Sequence, residues 1–412
     1  MILREYEADD CRETAELFYH TVHKVNAKDY AEEQLNAWAP KEMDLEKWNR
    51  SLQEHFSIVA IEDKAIVGFG DVDDTGCIDR LFVHKDYQRR GIASALCKKL
   101  EQKVQGRTET HASVTARPFF EKIGYRVTKE QRVERQGIFL TNYIMTKEQI
   151  KAAFFDIDGT LAEMRSHAIP DSTREAIRRL REKGVCCVLS TGRHPLEVEE
   201  ENILPGLSFD GGIWLTGQYC ELHGECILQN CFTGKQLTVL KEFLGRYGRS
   251  CIFLEKEAMY CNLVDERIRR EQEKIGTAVP PVRDLDGLEA REILQAVPFI
   301  DEEEERELTA LLPECKLTRW GEGVVDFLPP GGGKEQGILA ACRALGITPA
   351  QVIAFGDAEN DIDMLHLAGI GVAMGNGEPA AKEAADFVTD RIEKDGIWKA
   401  LVKFGMIEAG AV

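Results

Sequence analysis

No stretch of the 412 residues stays apolar for the ~18 residues that a bilayer-spanning helix needs. Residues 1–6 read as an amphipathic strand, not as a signal peptide, so the cytoplasm is the expected location. Positive charge is scarce: 52 Lys and Arg stand against 71 Asp and Glu, a formal net charge of −19. That balance repels both the phosphate backbone of nucleic acid and an anionic membrane surface, and neither is expected as a partner. The deficit is uneven. Residues 1–150 hold 23 basic against 26 acidic side chains, and the rest of the chain holds 29 against 45. The twelve cysteines include no C-x-x-C and no paired ligand spacing, which argues for free thiols. Cys186 and Cys187 fall inside an apolar run, where cysteine acts as a small hydrophobe. A nucleotide-binding P-loop is missing as well, because Gly331-Gly332-Gly333-Lys334 is followed by Glu335 and not by Ser or Thr.

What is present is length and a series of motifs. A chain of this size exceeds one ordinary core, and two or three domains are expected. The second half is organised around Phe154-Phe155-Asp156-Ile157-Asp158-Gly159-Thr160-Leu161, a short buried strand that halts on two carboxylates spaced i, i+2. On a continuing strand such residues share a face. Two carboxylates crowded in apolar surroundings need a shared cation or proton. Gly159 permits a tight turn whose amides can face an anion, and Thr160 adds a hydroxyl. Three later stretches have the same form. Val185-Cys186-Cys187-Val188-Leu189 ends on Ser190-Thr191-Gly192-Arg193, and Lys334 follows a Pro-Gly loop and precedes a helical pattern over 336–345. Val352-Ile353-Ala354-Phe355 ends on Gly356-Asp357-Ala358-Glu359-Asn360-Asp361. Apolar runs alternating with helices indicate a parallel sheet covered on both faces, with ligands bound at the carboxyl ends of its strands.

With these four motifs in order, and the tail Gly371-Val372-Ala373-Met374-Gly375-Asn376-Gly377 and Ala385-Asp386-Phe387-Val388-Thr389, residues 151–405 resemble the haloacid dehalogenase (HAD) superfamily, and within it the Cof-type phosphatases. The resemblance implies an α/β fold, a Rossmann-like parallel sheet with an inserted α+β cap. The cap is expected at about 232–318, where strand-like pieces alternate with charged helices. It also implies that Asp156 is a nucleophile forming an aspartyl-phosphate and that Asp158 is the general acid. Ser190, Gly159, Thr191 and Asn360 would meet the phosphate, and Lys334 would balance its charge. Mg²⁺ would be held by Asp156, Asp158, Asp357 and Asp361. The substrate would be a small-molecule phosphate ester chosen largely by the cap.

In the first half, a helical pattern over 11–22 precedes a short helix ended by Pro40, whose Tyr30 and Trp38 fit either a core or a substrate slot. Strands follow at Phe56–Glu62 and Ala65–Val72, with a turn at Asp63-Lys64, and then at Cys77–Val83. Next comes His84-Lys85-Asp86-Tyr87-Gln88-Arg89-Arg90-Gly91-Ile92-Ala93-Ser94, where a helix opens near Gly91. Free amides, the helix dipole and the two arginines there suit a pyrophosphate. About 25 residues later stands Ala112-Ser113-Val114-Thr115-Ala116-Arg117-Pro118-Phe119-Phe120-Glu121-Lys122-Ile123-Gly124-Tyr125. Residues 2–146 thereby resemble the GNAT acyltransferases, a mixed α/β family that binds acetyl-CoA. The resemblance implies that Gln88, Arg89, Arg90, Gly91, Ile92, Ala93 and Ser94 form the pyrophosphate loop, and that Leu81, Phe82 and Val83 pair with the pantetheine arm. A small amine would be the acceptor. The family often carries a tyrosine where Phe120 stands, to protonate the departing thiolate, and Phe120 has no proton to give. Asp71 and Asp73 are candidate bases, a solvated turn being the alternative role. The expectation is a GNAT-like domain over 1–148 joined to a HAD domain over 149–412, each with its own activity. Two other functions fit the same residues: an acetyl-CoA sensor on a phosphatase, and a phosphomutase in the second half.

Overall fold

The computed structural model describes residues 1–410 apart from 105, 165, 276 and 322. It divides into two compact units, Met1–Gln149 and Ile150–Val412. Among the described residues no helix is long and apolar enough to cross a membrane, and all twelve cysteines are free.

The first unit is built on a seven-stranded sheet in the order Ile2–Glu5, Phe56–Glu62, Ala65–Val72, Cys77–Val83, Thr108–Ser113, Ile138–Lys147, Arg126–Arg135. Strand alternation decides which helices cover which face. Val59 and Phe69 point to one face and pack with Leu17, Phe18 and Val22 of helix Cys11–Val25. Ile58, Ala60 and Val67 point to the other and pack with Ile92, Leu96 and Leu100 of helix Ile92–Glu101. The turn at Asp63 and Lys64 puts both residues at positive φ, 51° and 70°, the mirror-image turn that suits a two-residue hairpin. Neighbouring strands are antiparallel except one pair. Cys77–Val83 and Thr108–Ser113 run parallel and pair only at Cys77↔Glu109 and Ile78↔Thr110, so their edges part beyond those residues.

The second unit carries an eight-stranded sheet in the order Glu225–Gln229, Tyr219–Leu222, Gly211–Trp214, Cys186–Ser190, Ala152–Phe155, Val352–Gly356, Ile370–Ala373, Phe387–Val388. Ala152–Phe155 is fully buried and lies parallel between Cys186–Ser190 and Val352–Gly356. Its continuous apolar run is what a strand covered on both faces requires. Helix Lys334–Leu345 packs Ile338 and Ala341 on one face of the sheet, and helix Asp171–Glu182 packs Ala176, Ile177 and Leu180 on the other. A second sheet of five strands, Met259–Cys261, Cys251–Leu254, Gln295–Pro298, Val324–Leu328 and Lys316–Gly321, is inserted before that first helix. Helices Gly234–Tyr247 and Glu302–Leu311 cover it with Leu240, Phe243 and Leu308. The acidic run opens the latter helix: Asp301 caps it by accepting from the amides of Glu303 and Glu304. The inserted sheet continues past residue 318, because Val324, Val325 and Phe327 bury as a last strand that leads directly into the Lys334 loop.

Candidate active sites

Three adjacent parallel strands end at the same edge of the larger sheet, delivering Asp156, Ser190 and Asp357 side by side. Lys334, at the first position of its helix, is buried among them. Its Nζ donates to Asp156 Oδ1 at 2.7 Å and to Asp361 Oδ1 at 2.5 Å. One carboxylate oxygen from each of Asp156, Asp357 and Asp361 lies within 4.8 Å of the other two. Burial pushes the Asp156 pKa well up; Lys334 opposes this, and Asp361 and Asp357 add to it. Burial, then the charge of Asp361, pushes Asp357 up to about 7. Burial alone would lower the Lys334 pKa, but Asp156 and Asp361 outweigh it and hold the ammonium above the usual lysine value. Three buried carboxylates facing one ammonium leave the site short of positive charge. Hard oxygen donors with an anionic excess fit a divalent cation.

The structure sorts the candidates. Asp361 Oδ2 accepts from the amides of Asp357 and Ala358 while its Oδ1 takes Lys334, so both oxygens already have partners. Asp156 and Asp357 are therefore the carboxylates best placed to hold a cation. Asp158 is a correction: its side chain stands outside the cluster, forked by Arg193 with Nε at 2.7 Å and Nη2 at 2.8 Å. Gly159 is a second correction. Its amide donates to Ala162 O at 2.8 Å and cannot also face a phosphate. Glycine is needed there for conformation, since φ is +82° and a Cβ would collide with the Asp357 carboxylate. Thr191 likewise commits its amide to Ile213 O, and its Oγ1 accepts from the Arg193 amide, leaving only its hydroxyl proton for a ligand. Ser190 Oγ is fully buried and has no hydrogen-bond partner, the state expected of a group that meets a bound oxyanion. Asn360 is exposed, and a Cβ on Gly192 would stand 4.0 Å from its Nδ2. Thr160 Oγ1 donates to Asp357 Oδ1 at 3.0 Å.

Two further residues belong to this site. Arg193 closes the Ser190 motif, and its position in sequence gave no sign that it would reach Asp158, 35 residues earlier. Asn376 Nδ2 donates to Gly159 O at 2.6 Å and its Oδ1 accepts from Ile392 N. Its glycine neighbours were the available signal, because a Cβ on Gly377 would collide with the Asp357 backbone.

In the first unit, Gly91 caps helix Ile92–Glu101 at φ +84°, and a Cβ there would meet no protein atom within 4 Å. The first-turn amides of Ile92, Ala93 and Ser94 open that helix. Ile92 itself is buried, so only its backbone is offered. Arg90 stacks on Tyr87, and Gln88 Nε2 donates to Val83 O at 3.5 Å. Leu81 and Val83 pair with Gly70 and Gly68 on one edge, while the edge facing Thr108–Ser113 has parted. Phe82 packs with Phe18 and Phe69. Phe120 is buried against Phe119 and Tyr125, a core position. Both candidate bases are engaged by neighbouring groups. Asp73 Oδ1 accepts from Thr75 N, Thr75 Oγ1 and Cys77 N, which closes a turn. Asp71 is fully buried between His55 Nδ1 at 2.6 Å and Arg80 Nε at 3.0 Å. Tyr30 is structural too, donating to Thr141 O and accepting from Val114 N.

Residues 153–401 match the haloacid dehalogenase-like hydrolase family. The chain belongs to that family. Residues 26–147 match the acetyltransferase (GNAT) domain, and the protein is thus a HAD phosphatase fused to a GNAT acetyltransferase domain. The putative phosphatase YkrA of Bacillus subtilis is 34% identical over 260 residues, 63% of this chain and 99% of YkrA. The uncharacterized N-acetyltransferase YafP of Escherichia coli is 37% identical over 143 residues, 35% of this chain and 93% of YafP. Among solved structures, the HAD phosphatase BT1666 from Bacteroides thetaiotaomicron aligns with a TM-score of 0.58 at 31% identity, covering 63% of this chain and 96% of BT1666. In the HAD unit, the hydrogen bond from His194 Nε2 to Glu255 O (2.7 Å) joins the loop after Ser190 to the turn between Cys251–Leu254 and Met259–Cys261 of the inserted sheet.

Proposed function

We propose that the protein is a cytoplasmic bifunctional enzyme: a Mg²⁺-dependent phosphatase of a small phosphorylated metabolite, fused to an acetyl-CoA-dependent N-acetyltransferase of a small amine. The observation that supports the first activity is the Asp156–Lys334–Asp361 contact beside Asp357 and the unpartnered Ser190 hydroxyl. Asp156, its Oδ1 held by Lys334, attacks phosphorus with its other oxygen. The ester P–O bond breaks, and the leaving oxygen takes a proton from Asp158. In the second half-reaction Asp158 takes a proton from water, which attacks phosphorus, breaks the bond to Asp156 and releases phosphate. Both Asp158 oxygens accept from Arg193, so carrying a proton on either one in the first half needs one of the two hydrogen bonds to yield. Ser190 donates to a phosphoryl oxygen, and Lys334 keeps its charge beside the transferring group. Asp156 and Asp357 would hold Mg²⁺, which when bound offsets the repulsion between carboxylate and phosphate. A screen of phosphorylated metabolites for phosphate release, with Mg²⁺ and with EDTA, tests this reading. No release from any ester in either condition would overturn it.

In the first unit the parted strands and the open N-terminus at Gly91 support acetyl-CoA binding. Acetyl transfer to a panel of amines tests catalysis. The burial of Phe120, which has no hydroxyl, favours a second reading in which this unit binds acetyl-CoA and transfers nothing. Binding by calorimetry with no transfer to any amine would select it.

A further inference from the structure

Between strands Gly211–Trp214 and Tyr219–Leu222 three consecutive residues are left-handed: Leu215 at φ 52°, Thr216 at φ 53° and Gly217 at φ 85°. Glycine adopts this region freely, but leucine and above all β-branched threonine do so only under constraint from their surroundings. The constraint comes from two sides. Leu215 N donates to Arg193 O at 3.2 Å and Thr216 N to Thr191 O at 3.0 Å, while Thr191 N donates back to Ile213 O at 2.8 Å. On the other side a Cβ on Gly217 would collide with the carbonyl of Gly333, so the two backbones touch. Gln218, fully buried, accepts through Oε1 from Asn230 Nδ2, which also donates to Pro330 O. The Gln218 Nε2 has no partner and lies where a Cβ on Gly332 would be.

The first of these loops carries Ser190 and also Arg193, which forks Asp158. The second leads directly into Lys334. Ser190 and Lys334 must meet one phosphoryl group from different directions, and an error of about 1 Å in such spacing can cost on the order of 100-fold in rate. We propose that residues 215–218 are the positioning element of the phosphatase site, holding the Ser190–Arg193 loop and the Gly333–Lys334 loop at a fixed separation. Thr216 and Gly217 are positioning residues, acting through the two loops they meet. The left-handed backbone is the shape that lets one turn bond the first loop and abut the second, and strain of this kind persists where neighbouring structure over-determines it. The inference rests on the phosphatase reading of the site.

The test uses the full chain, p-nitrophenyl phosphate and Mg²⁺. Thr216→Gly frees the turn and should lower kcat roughly tenfold with KM within about twofold, the split expected when transition-state alignment is lost. Its Tm should stay within a few degrees of wild type, because relief of strain and added freedom in the unfolded chain oppose each other. Thr216→Asn should recover most of the lost rate, since asparagine tolerates the left-handed region yet is less free than glycine. Gly217→Ala should lower kcat at least as far by pressing on Gly333. Wild-type kcat in Thr216→Gly would overturn the proposal. So would a folded Thr216→Asn as slow as Thr216→Gly, and that pair decides even if Gly217→Ala fails to fold. Asp156→Asn, assayed alongside, separates the two levels. If it is silent while wild type turns over, the phosphatase reading stands whatever Thr216→Gly does. If it hydrolyses as wild type does, that reading fails and the positioning claim fails with it.

Discussion

Replacing Lys334 with methionine keeps most of the side-chain volume and removes the ammonium that bonds Asp156 and Asp361. With Lys334, the three carboxylates of Asp156, Asp357 and Asp361 carry a formal −2; without it they carry −3. Removing one partner of a buried ion pair costs about 3–5 kcal/mol, because the remaining charge stays buried. Part of this is recovered by protons. An acid whose pKa is raised by folding binds its proton more tightly in the folded chain, so it favours the fold as pH falls and opposes it as pH rises. Asp156 and Asp357 are both raised, the latter to about 7. The penalty of Lys334→Met should therefore sit near the lower limit, about 3 kcal/mol at neutral pH, and grow above it. At about 2–4 °C per kcal/mol for a unit of this size, its calorimetric transition should fall by roughly 6–12 °C. Millimolar Mg²⁺ should restore more of the Tm in Lys334→Met than it adds to wild type, since a cation then replaces the missing charge. The assay is scanning calorimetry of the full chain at several pH values, with Mg²⁺ and with EDTA. A variant melting within about 1 °C of wild type at neutral pH in EDTA would refute the charge balance described for this site.

Three further outcomes follow from separate contacts. Arg193→Met removes the fork that orients Asp158 and, by leaving the acid free to swing away from the leaving oxygen, should slow hydrolysis of alkyl phosphates roughly 100-fold, but p-nitrophenyl phosphate much less, because its leaving group needs no proton; equal losses on both esters would contradict the acid's role. Gly91→Ala puts a methyl group where no protein atom stands within 4 Å, and calorimetry should show acetyl-CoA binding weakened roughly tenfold or more, about 1.4 kcal/mol; unchanged affinity would place the pyrophosphate elsewhere. In the first unit, the hydrogen bond to Asp71 raises the His55 pKa against partial burial. A raised histidine stabilises fully below its ordinary value of about 6.5 and loses that contribution as pH rises through the folded value. The Tm advantage of wild type over His55→Gln should therefore shrink between about pH 6 and pH 8, and a constant difference would count against the pair.

The HAD fold was legible because its central strands are apolar and then stop on polar residues. Ala152–Phe155 and Val352–Gly356 have no polar residue to suggest an exposed face, so a buried parallel sheet was the reading the pattern allowed. Asp156 and Asp357 stood out as the charges that end such runs. Contacts between loops were not legible. The Asp158–Arg193 fork exists only once strand Ala152–Phe155 lies beside Cys186–Ser190, and the left-handed turn at Leu215 and Thr216 is held only once Gly211–Trp214 lies on the other side of that strand. The Gly159 amide was misassigned for a local reason: a glycine turn shows that the chain can bend, but not which carbonyl its N–H will find, and here it finds Ala162. In the GNAT unit, Asp71 and Asp73 looked alike in sequence. Their difference lies in partners, a histidine and an arginine for one and a turn for the other. The inserted sheet runs on past the expected bound of 318, since Val324–Leu328 forms a further strand of it before the Pro-Gly loop that leads to Lys334.

The nucleophile can be caught directly. Wild-type protein turning over its best phosphate ester in Mg²⁺ should be quenched and reduced with borohydride, which converts an aspartyl-phosphate to homoserine, and the peptides read by mass spectrometry. Homoserine at position 156, present with substrate and absent without it, is the predicted result. Continued hydrolysis with position 156 unmodified, or with the trapped residue elsewhere, would contradict the account.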